Sequence, residues 1–199
     1  MVPTHSRTQQ EILIPPKERI GAKRGQTVVA EIITPPGQNA LPVGRITEIL
    51  GEHLAPGMEI EVAIRAHDLP YVFPDDVEQE AAALPDTVSA EDCKGREDIR
   101  DLPLVTIDGT DARDFDDAVY ARPEKKGWTL WVAIADVAAY VKPGTPLDVE
   151  ANERGTSVYF PRQVIPMLPE KLSNGLCSLN PHVDRLCMVC EIRVMPDGE

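Results

Sequence analysis

Residues 106–120 read TIDGTDARDFDDAVY. Five aspartates, Asp108, Asp111, Asp114, Asp116 and Asp117, fall within ten positions, and the residues framing them are apolar enough to be buried. Ionised carboxylates crowded in this way repel one another unless cations or water separate them. Just upstream, LVTI (104–107) reads as a strand; downstream, DFDDAVYARP (114–123) reads as its continuation across a turn, and GWTLWVAIADVAAYV (127–141) as a long, mostly buried strand. Period-two alternation puts Asp114 and Asp116 on one face and Asp117 on the other. A tight turn at Gly109 then brings Asp108 back beside them, so that three or four carboxylates surround one small volume.

All-oxygen ligands of that kind suit hard divalent cations, Mg²⁺ first and Mn²⁺ as the alternative, with water and phosphate oxygens completing the shell. A pair of such ions lowers the pKa of an attacking water and stabilises both oxygens of an in-line phosphoryl displacement. Phosphodiester hydrolysis is therefore the leading chemistry. An EF-hand loop is excluded in both registers, because Val119 occupies the glycine position counted from Asp114, and Thr110 and Ala112 occupy ligand positions counted from Asp108. A structural cation site without turnover, and a solvated acidic loop, are the remaining alternatives.

Beyond the cluster, TPLDVEANERG (145–155) and PEKLSNGLCSL (169–179) read as helices separated by the extended TSVYFPRQVIPML (156–168), and a last strand runs to Met195 before the turn PDGE. On the other side, FPDDVEQEAAALP (73–85) carries a helix start at Pro74–Asp76 and a stop at Pro85, and TVSAEDCKG (87–95) reads as a second short helix. Further upstream, GQTVVAEIIT (25–34), VGRITEIL (43–50) and GMEIEVAIRA (57–66) read as three short strands between turn-rich segments. Strands at that spacing imply a small antiparallel barrel of the OB type. The fold class expected is α+β, with residues 1–72 as the OB-like barrel, 73–100 as an acidic helical linker, and 101–199 as a mixed α/β domain whose final turn points to a larger whole.

With 199 residues, 42% hydrophobic and 27% charged, the chain can bury a real core. It contains neither an apolar run long enough to span a membrane nor a signal-peptide layout, so it reads as soluble and cytoplasmic. Its formal net charge of −13 is local. Residues 73–117 carry four Lys/Arg against fifteen Asp/Glu, whereas residues 1–72 carry seven against eight and residues 118–199 nine against ten. An acidic total ordinarily argues against nucleic-acid partners, and here that argument weakens. The four cysteines, Cys93, Cys177, Cys187 and Cys190, read as free thiols. In a strand, Cys187 and Cys190 point to opposite faces and do not converge on one ion, even with His182 nearby.

The aspartate stretch, WVAIADVAAYV, GTSVYFPRQVIPMLPEKLSNGLCSLNP and DRLCMVCEI together resemble the catalytic RNB domain of the ribonuclease II (RNB) exoribonuclease family. Upstream, PVGRITEILGEHLAPGMEIEVAIRAHDLPYVFP resembles the family's second cold-shock domain and the linker after it. The resemblance implies a processive 3′→5′ exoribonuclease that acts on single-stranded RNA from its 3′ end, releases nucleoside 5′-monophosphates and uses Mg²⁺. The family's active-site aspartates fall on Asp108, Asp114, Asp116 and Asp117, with Asp116 expected to matter most for turnover and the others as ligands. Asp111 is left as a turn residue, and Arg113 as a partner for a neighbouring carboxylate. Tyr159 falls on the tyrosine that stacks near the 3′-terminal base, while Phe160 is assigned to the core.

The family's catalytic domain continues well past residue 199, so the chain is expected to be a fragment with little or no exonuclease activity alone. Residues 1–70 contain no Phe, Trp or Tyr. RNA contact there would rest on the phosphate backbone, through Lys17, Arg19, Lys23 and Arg24. The alternative reading is an RNA-binding OB module with a non-catalytic cation site, and a divalent-cation protein unrelated to RNA stands third. The sequence does not fix the oligomeric state.

Overall fold

The computed structural model describes residues 1–4, 10–38, 40–53 and 55–198. The chain divides into two compact units, Met1–Tyr71 and Val72–Glu199, and its elements are of the α+β class.

In the first unit, β1 (Gln26–Thr34) and β2 (Val43–Glu52) form an antiparallel pair from Gln26↔Glu52 to Thr34↔Val43, with three register irregularities that bend it. Leu13 adds a parallel bridge to Val43, and Ile12, Ile14 and Ile46 form the small core beneath. Gly44 is required at that contact: a Cβ would lie 2.9 Å from both the Glu31 carbonyl and the Ile12 side chain.

The expected third strand is instead helix α1, Met58–Ala66. Its apolar and charged residues alternate, but Met, Glu, Ala and Arg favour a helix intrinsically, and Gly57 enters it in the left-handed conformation at φ 87°. The helical spacing lets Arg65 pair with Glu61 one turn back while also reaching Glu48 on β2 at 2.6 Å and covering the Tyr71 ring at 4.1 Å. With that strand replaced, the described residues form a two-stranded sheet with a helix, and no closed barrel.

The second unit opens with α2 (Asp75–Ala83), which starts after Pro74 as its sequence implies. Val77 and Ala81 are buried in the main core of this unit with Leu147, Leu172 and Leu176. Asp75, Asp76 and Glu78 stay exposed, while Glu80 is partly buried and accepts from the Leu147 N–H at 2.9 Å. The second short helix expected over 87–95 is a run of turns instead, in which Ser89 and Asp92 exchange hydrogen bonds that compete with helix formation.

Strands β3 (Asp117–Pro123), β4 (Trp128–Ala135) and β7 (Cys187–Val194) form an antiparallel sheet in the order β3-β4-β7. LVTI contributes only one bridge, Val105 to Val119, rather than a strand. On β4, Thr129, Trp131, Ala133 and Ala135 are buried and alternate with more exposed neighbours. Trp131 stacks on Tyr120 at 5.4 Å and donates from Nε1 to Glu191 at 3.0 Å.

The long strand expected over 127–141 therefore ends at Ala135. Asp136 turns away, donating its N–H to the Leu186 carbonyl at 2.9 Å and pairing with Arg96 at 2.7 Å, and a 3₁₀ turn over Val137–Ala139 carries the chain into the core. Helix α3 (Pro146–Arg154) begins after Thr145 and ends at Gly155, at φ 70°. A hairpin of β5 (Val158–Phe160) and β6 (Gln163–Ile165) follows.

The helix expected over 169–179 is a π-helix, Lys171–Leu176, in which the Cys177 N–H reaches back five residues to the Leu172 carbonyl at 2.9 Å. Among the described residues strand β7 pairs with β4 alone, and Met188, Val189 and Ile192 along it are exposed. Cys187 and Cys190 lie on it opposite Ala135 and Val132, and all four cysteines are free. No helix among the described residues is long and apolar enough to cross a membrane.

Candidate functional site

Asp108, Asp114 and Asp116 lie in an irregular loop, and only Asp117 belongs to a strand, as the first residue of β3. The alternation argument for Asp114 and Asp116 therefore does not apply. Gly109 adopts no left-handed conformation; the turn is closed by the Ala112 N–H donating to the Gly109 carbonyl at 3.1 Å, with Thr110 and Asp111 at its corner.

Backbone hydrogen bonds hold the loop from both sides. The Ala135 N–H, at the end of β4, donates to the Asp116 carbonyl at 2.9 Å, and the Leu179 N–H donates to the Phe115 carbonyl at 2.8 Å. Between them sits Ser178, fully buried, whose Oγ donates to the Arg113 carbonyl at 2.7 Å and accepts from the Phe115 N–H at 3.0 Å. Sequence reasoning passed over Ser178. The available signal was a lone hydroxyl inside the apolar run GLCSL, since a buried hydroxyl has to find partners.

This framework brings the four aspartates into one electrostatic neighbourhood. The Asp116 carboxyl is raised above its usual range, first because packing strips part of its hydration and then by the negative charges of Asp114, Asp117 and Asp108. Asp111 takes no part in that and stands exposed at its turn. Arg113 is exposed, and its side chain makes no ion pair among the described residues. Tyr159, on β5, keeps its ring 63% exposed while its hydroxyl donates to the Asp114 carboxylate. That bond, followed by burial and the charges of Asp114 and Asp116, pushes the phenol up to about 12. Phe160 beside it is half-buried. Burial, with the Asp116 charge behind it, likewise pushes the Cys177 thiol up to about 12. An open cleft next to the loop is lined by Arg113, Phe115, Lys171, Asn174 and Asn180.

The donor chemistry suits a hard cation, which would relieve the repulsion felt at Asp116. No three His, Cys, Asp or Glu side chains among the described residues close together on a single ion position. Lys17, Arg19, Lys23 and Arg24 lie in the first unit, exposed around a 3₁₀ turn at Pro16–Glu18 and the start of β1, and none makes an ion pair among the described residues.

A family model described as RNB domain matches residues 96–199, and one described as Cold shock domain matches residues 1–74. Ribonuclease R of Escherichia coli (strain K12) is 58% identical over 199 residues, which is all of this chain and 24% of that protein. Ribonuclease R of Vibrio cholerae is 58% identical over 200 residues, with the same coverage. Mycoplasma genitalium RNase R, solved in complex with double-stranded RNA, superposes with a TM-score of 0.87 at 34% identity over 94% of this chain and 33% of that one. The chain thus spans about a quarter of the length of these curated relatives. Since the RNB match takes in the aspartate loop, the sheet it leads into and the serine that pins it, and extends over more than half of the sequence, the chain belongs to the RNB domain family.

Proposed function

We propose that the chain is part of a metal-dependent 3′→5′ exoribonuclease that hydrolyses single-stranded RNA processively from its 3′ end to nucleoside 5′-monophosphates, in the cytoplasm. The carrying observation is the Asp116 carboxyl, raised by lost hydration and by the charges of Asp114, Asp117 and Asp108. Its repulsion is of the kind that a bound Mg²⁺ relieves, or Mn²⁺ in its place, and Asp108, Asp114, Asp116 and Asp117 are the residues that would hold such ions. When bound, a pair of divalent ions supplies an activated water and neutralises charge on the attacking and leaving oxygens.

In this reading, Tyr159 orients Asp114 through its hydroxyl and offers its exposed ring to a terminal base. Residues 1–72 form the cold-shock-type domain, where Lys17, Arg19, Lys23 and Arg24 engage phosphates without aromatic stacking. Residues 73–100 lead into the N-terminal part of the catalytic domain over 101–199.

The test is the release of nucleoside 5′-monophosphates from single-stranded RNA by a polypeptide of the relatives' length carrying these residues, with and without Asp116→Asn. Charge stabilisation by a metal is worth several kcal/mol, and each ~1.4 kcal/mol is a tenfold rate, so the substitution is expected to cost about a hundredfold or more. Undiminished degradation would remove Asp116 from its role.

A second reading is an RNA-binding module with a non-catalytic cation site. It predicts RNA and Mn²⁺ binding with no hydrolysis in the longer polypeptide. For the 199 residues alone, both readings predict little turnover, and robust 3′→5′ degradation by them would overturn that expectation.

A further inference from the structure

We propose that Ser178 is the positioning residue for the aspartate loop. Its hydroxyl bridges the two peptide groups on either side of Asp114 and so sets the direction in which the Asp114 and Asp116 carboxylates point. This inference rests on the cation-binding role proposed for those carboxylates.

The geometry is specific. Oγ of Ser178 donates to the Arg113 carbonyl at 2.7 Å and accepts from the Phe115 N–H at 3.0 Å, so one side-chain atom ties down both residues flanking Asp114. The next residue extends the clamp, because the Leu179 N–H donates to the Phe115 carbonyl at 2.8 Å. None of these residues belongs to a sheet that would otherwise hold the loop in register.

Ser178 is itself immobilised. It is fully buried, and its carbonyl accepts hydrogen bonds from the Asn180 N–H at 2.7 Å and from Nε of Arg185 at 2.9 Å. The extra residue in the turn of the preceding π-helix shifts Ser178 out of the register a regular α-helix would give it, and such insertions recur at functional sites. On the far side, the Tyr159 hydroxyl holds the Asp114 carboxylate. Asp114 is thus fixed through its backbone by Ser178 and through its side chain by Tyr159.

Groups that orient metal ligands without touching the metal typically contribute about 10–100-fold in affinity or activity. The test compares Ser178→Ala, which deletes both bonds, with Ser178→Cys, whose larger sulfur is only a weak donor and acceptor. Mn²⁺ binding is followed by electron paramagnetic resonance, folding by near-ultraviolet circular dichroism, and the Phe115 amide by hydrogen exchange.

The expected result is a native-like fold for both variants, with Mn²⁺ affinity at least about tenfold weaker in Ser178→Ala, an intermediate value in Ser178→Cys, and faster Phe115 exchange in the same order. Unchanged Mn²⁺ affinity in a folded Ser178→Ala protein overturns the proposal. If Ser178→Ala fails to fold, Ser178→Cys decides: native affinity in that variant overturns the proposal, and weakened affinity in a native-like fold supports it. If the unsubstituted chain takes up no Mn²⁺, the cation reading is what fails. Phe115 exchange then decides for Ser178, with unchanged protection in the folded variant counting against it.

Discussion

Asp116 loses part of its hydration and also feels the like charges of Asp114, Asp117 and Asp108. Because its carboxyl is raised, the native state holds more protons than the unfolded chain between the ordinary carboxylate pKa and the raised one. Stability contributed by the protonated form is fully present below the ordinary value and is lost as the pH rises through the raised one. In cation-free solution, Asp116→Asn is therefore expected to raise the melting temperature at pH 7 relative to the parent and to leave it nearly unchanged at pH 3. Added Mg²⁺ is expected to stabilise the parent and not the variant, and thermal melts at the two pH values check both. The Cys177 thiol, pushed up to about 12 and buried, sits at the opposite extreme of reactivity from the exposed Cys93 and Cys190. An aromatic disulfide reagent at pH 8 is expected to modify Cys93 and Cys190 rapidly and to reach Cys177 only after denaturation, as peptide mapping would show.

Among the elements, α3 carries the most exposed consequence of burying a charge. Arg154 has a side chain only 2% exposed, pairs with Glu150 at 2.8 Å, donates to the Pro166 and Val72 carbonyls, and lies over the Phe73 ring at 3.6 Å. Replacing it with Met leaves the largely buried Glu150 uncompensated, and denaturant unfolding is expected to show a loss of about 3–5 kcal/mol. Changing Glu150 to Leu in the same protein is expected to recover part of that loss.

The elements with local signals were legible in the sequence. Pro74 before Asp75 starts α2, Thr145 and Gly155 bracket α3, and the apolar run TLWVAIA marks β4. What was not legible depended on partners distant in sequence. The alternation in MEIEVAIRA looked like a strand because nothing local reveals that Arg65 reaches Glu48. The strand geometry read for the aspartates was wrong: bonds from Ser178, Leu179 and Ala135 shape a loop there, and no spacing within residues 108–117 encodes them.

At the scale of the molecule, charge and aromatic content divide the labour. The first 70 residues contain no Phe, Trp or Tyr, so RNA binding through them is expected to follow counterion release. For single strands the log–log salt slope changes by about 0.7 per phosphate contact, so replacing Lys17, Arg19, Lys23 and Arg24 together with Ala is expected to flatten it by up to about 3. Fluorescence anisotropy with labelled single-stranded RNA across a salt series checks this, and a slope that does not change would remove those side chains from the interface. The sheet of the second unit has a different consequence. Among the described residues strand β7 is bonded along one edge, and Met188, Val189 and Ile192 are exposed on it beside Glu191 and Arg193. A bare row of peptide groups is a template on which any extended chain can add itself, and neither a proline nor a lysine within Cys187–Val194 guards it. Whatever extended chain pairs with this edge, within a longer polypeptide or from a second copy, also governs how concentrated the protein can become before it begins to stack.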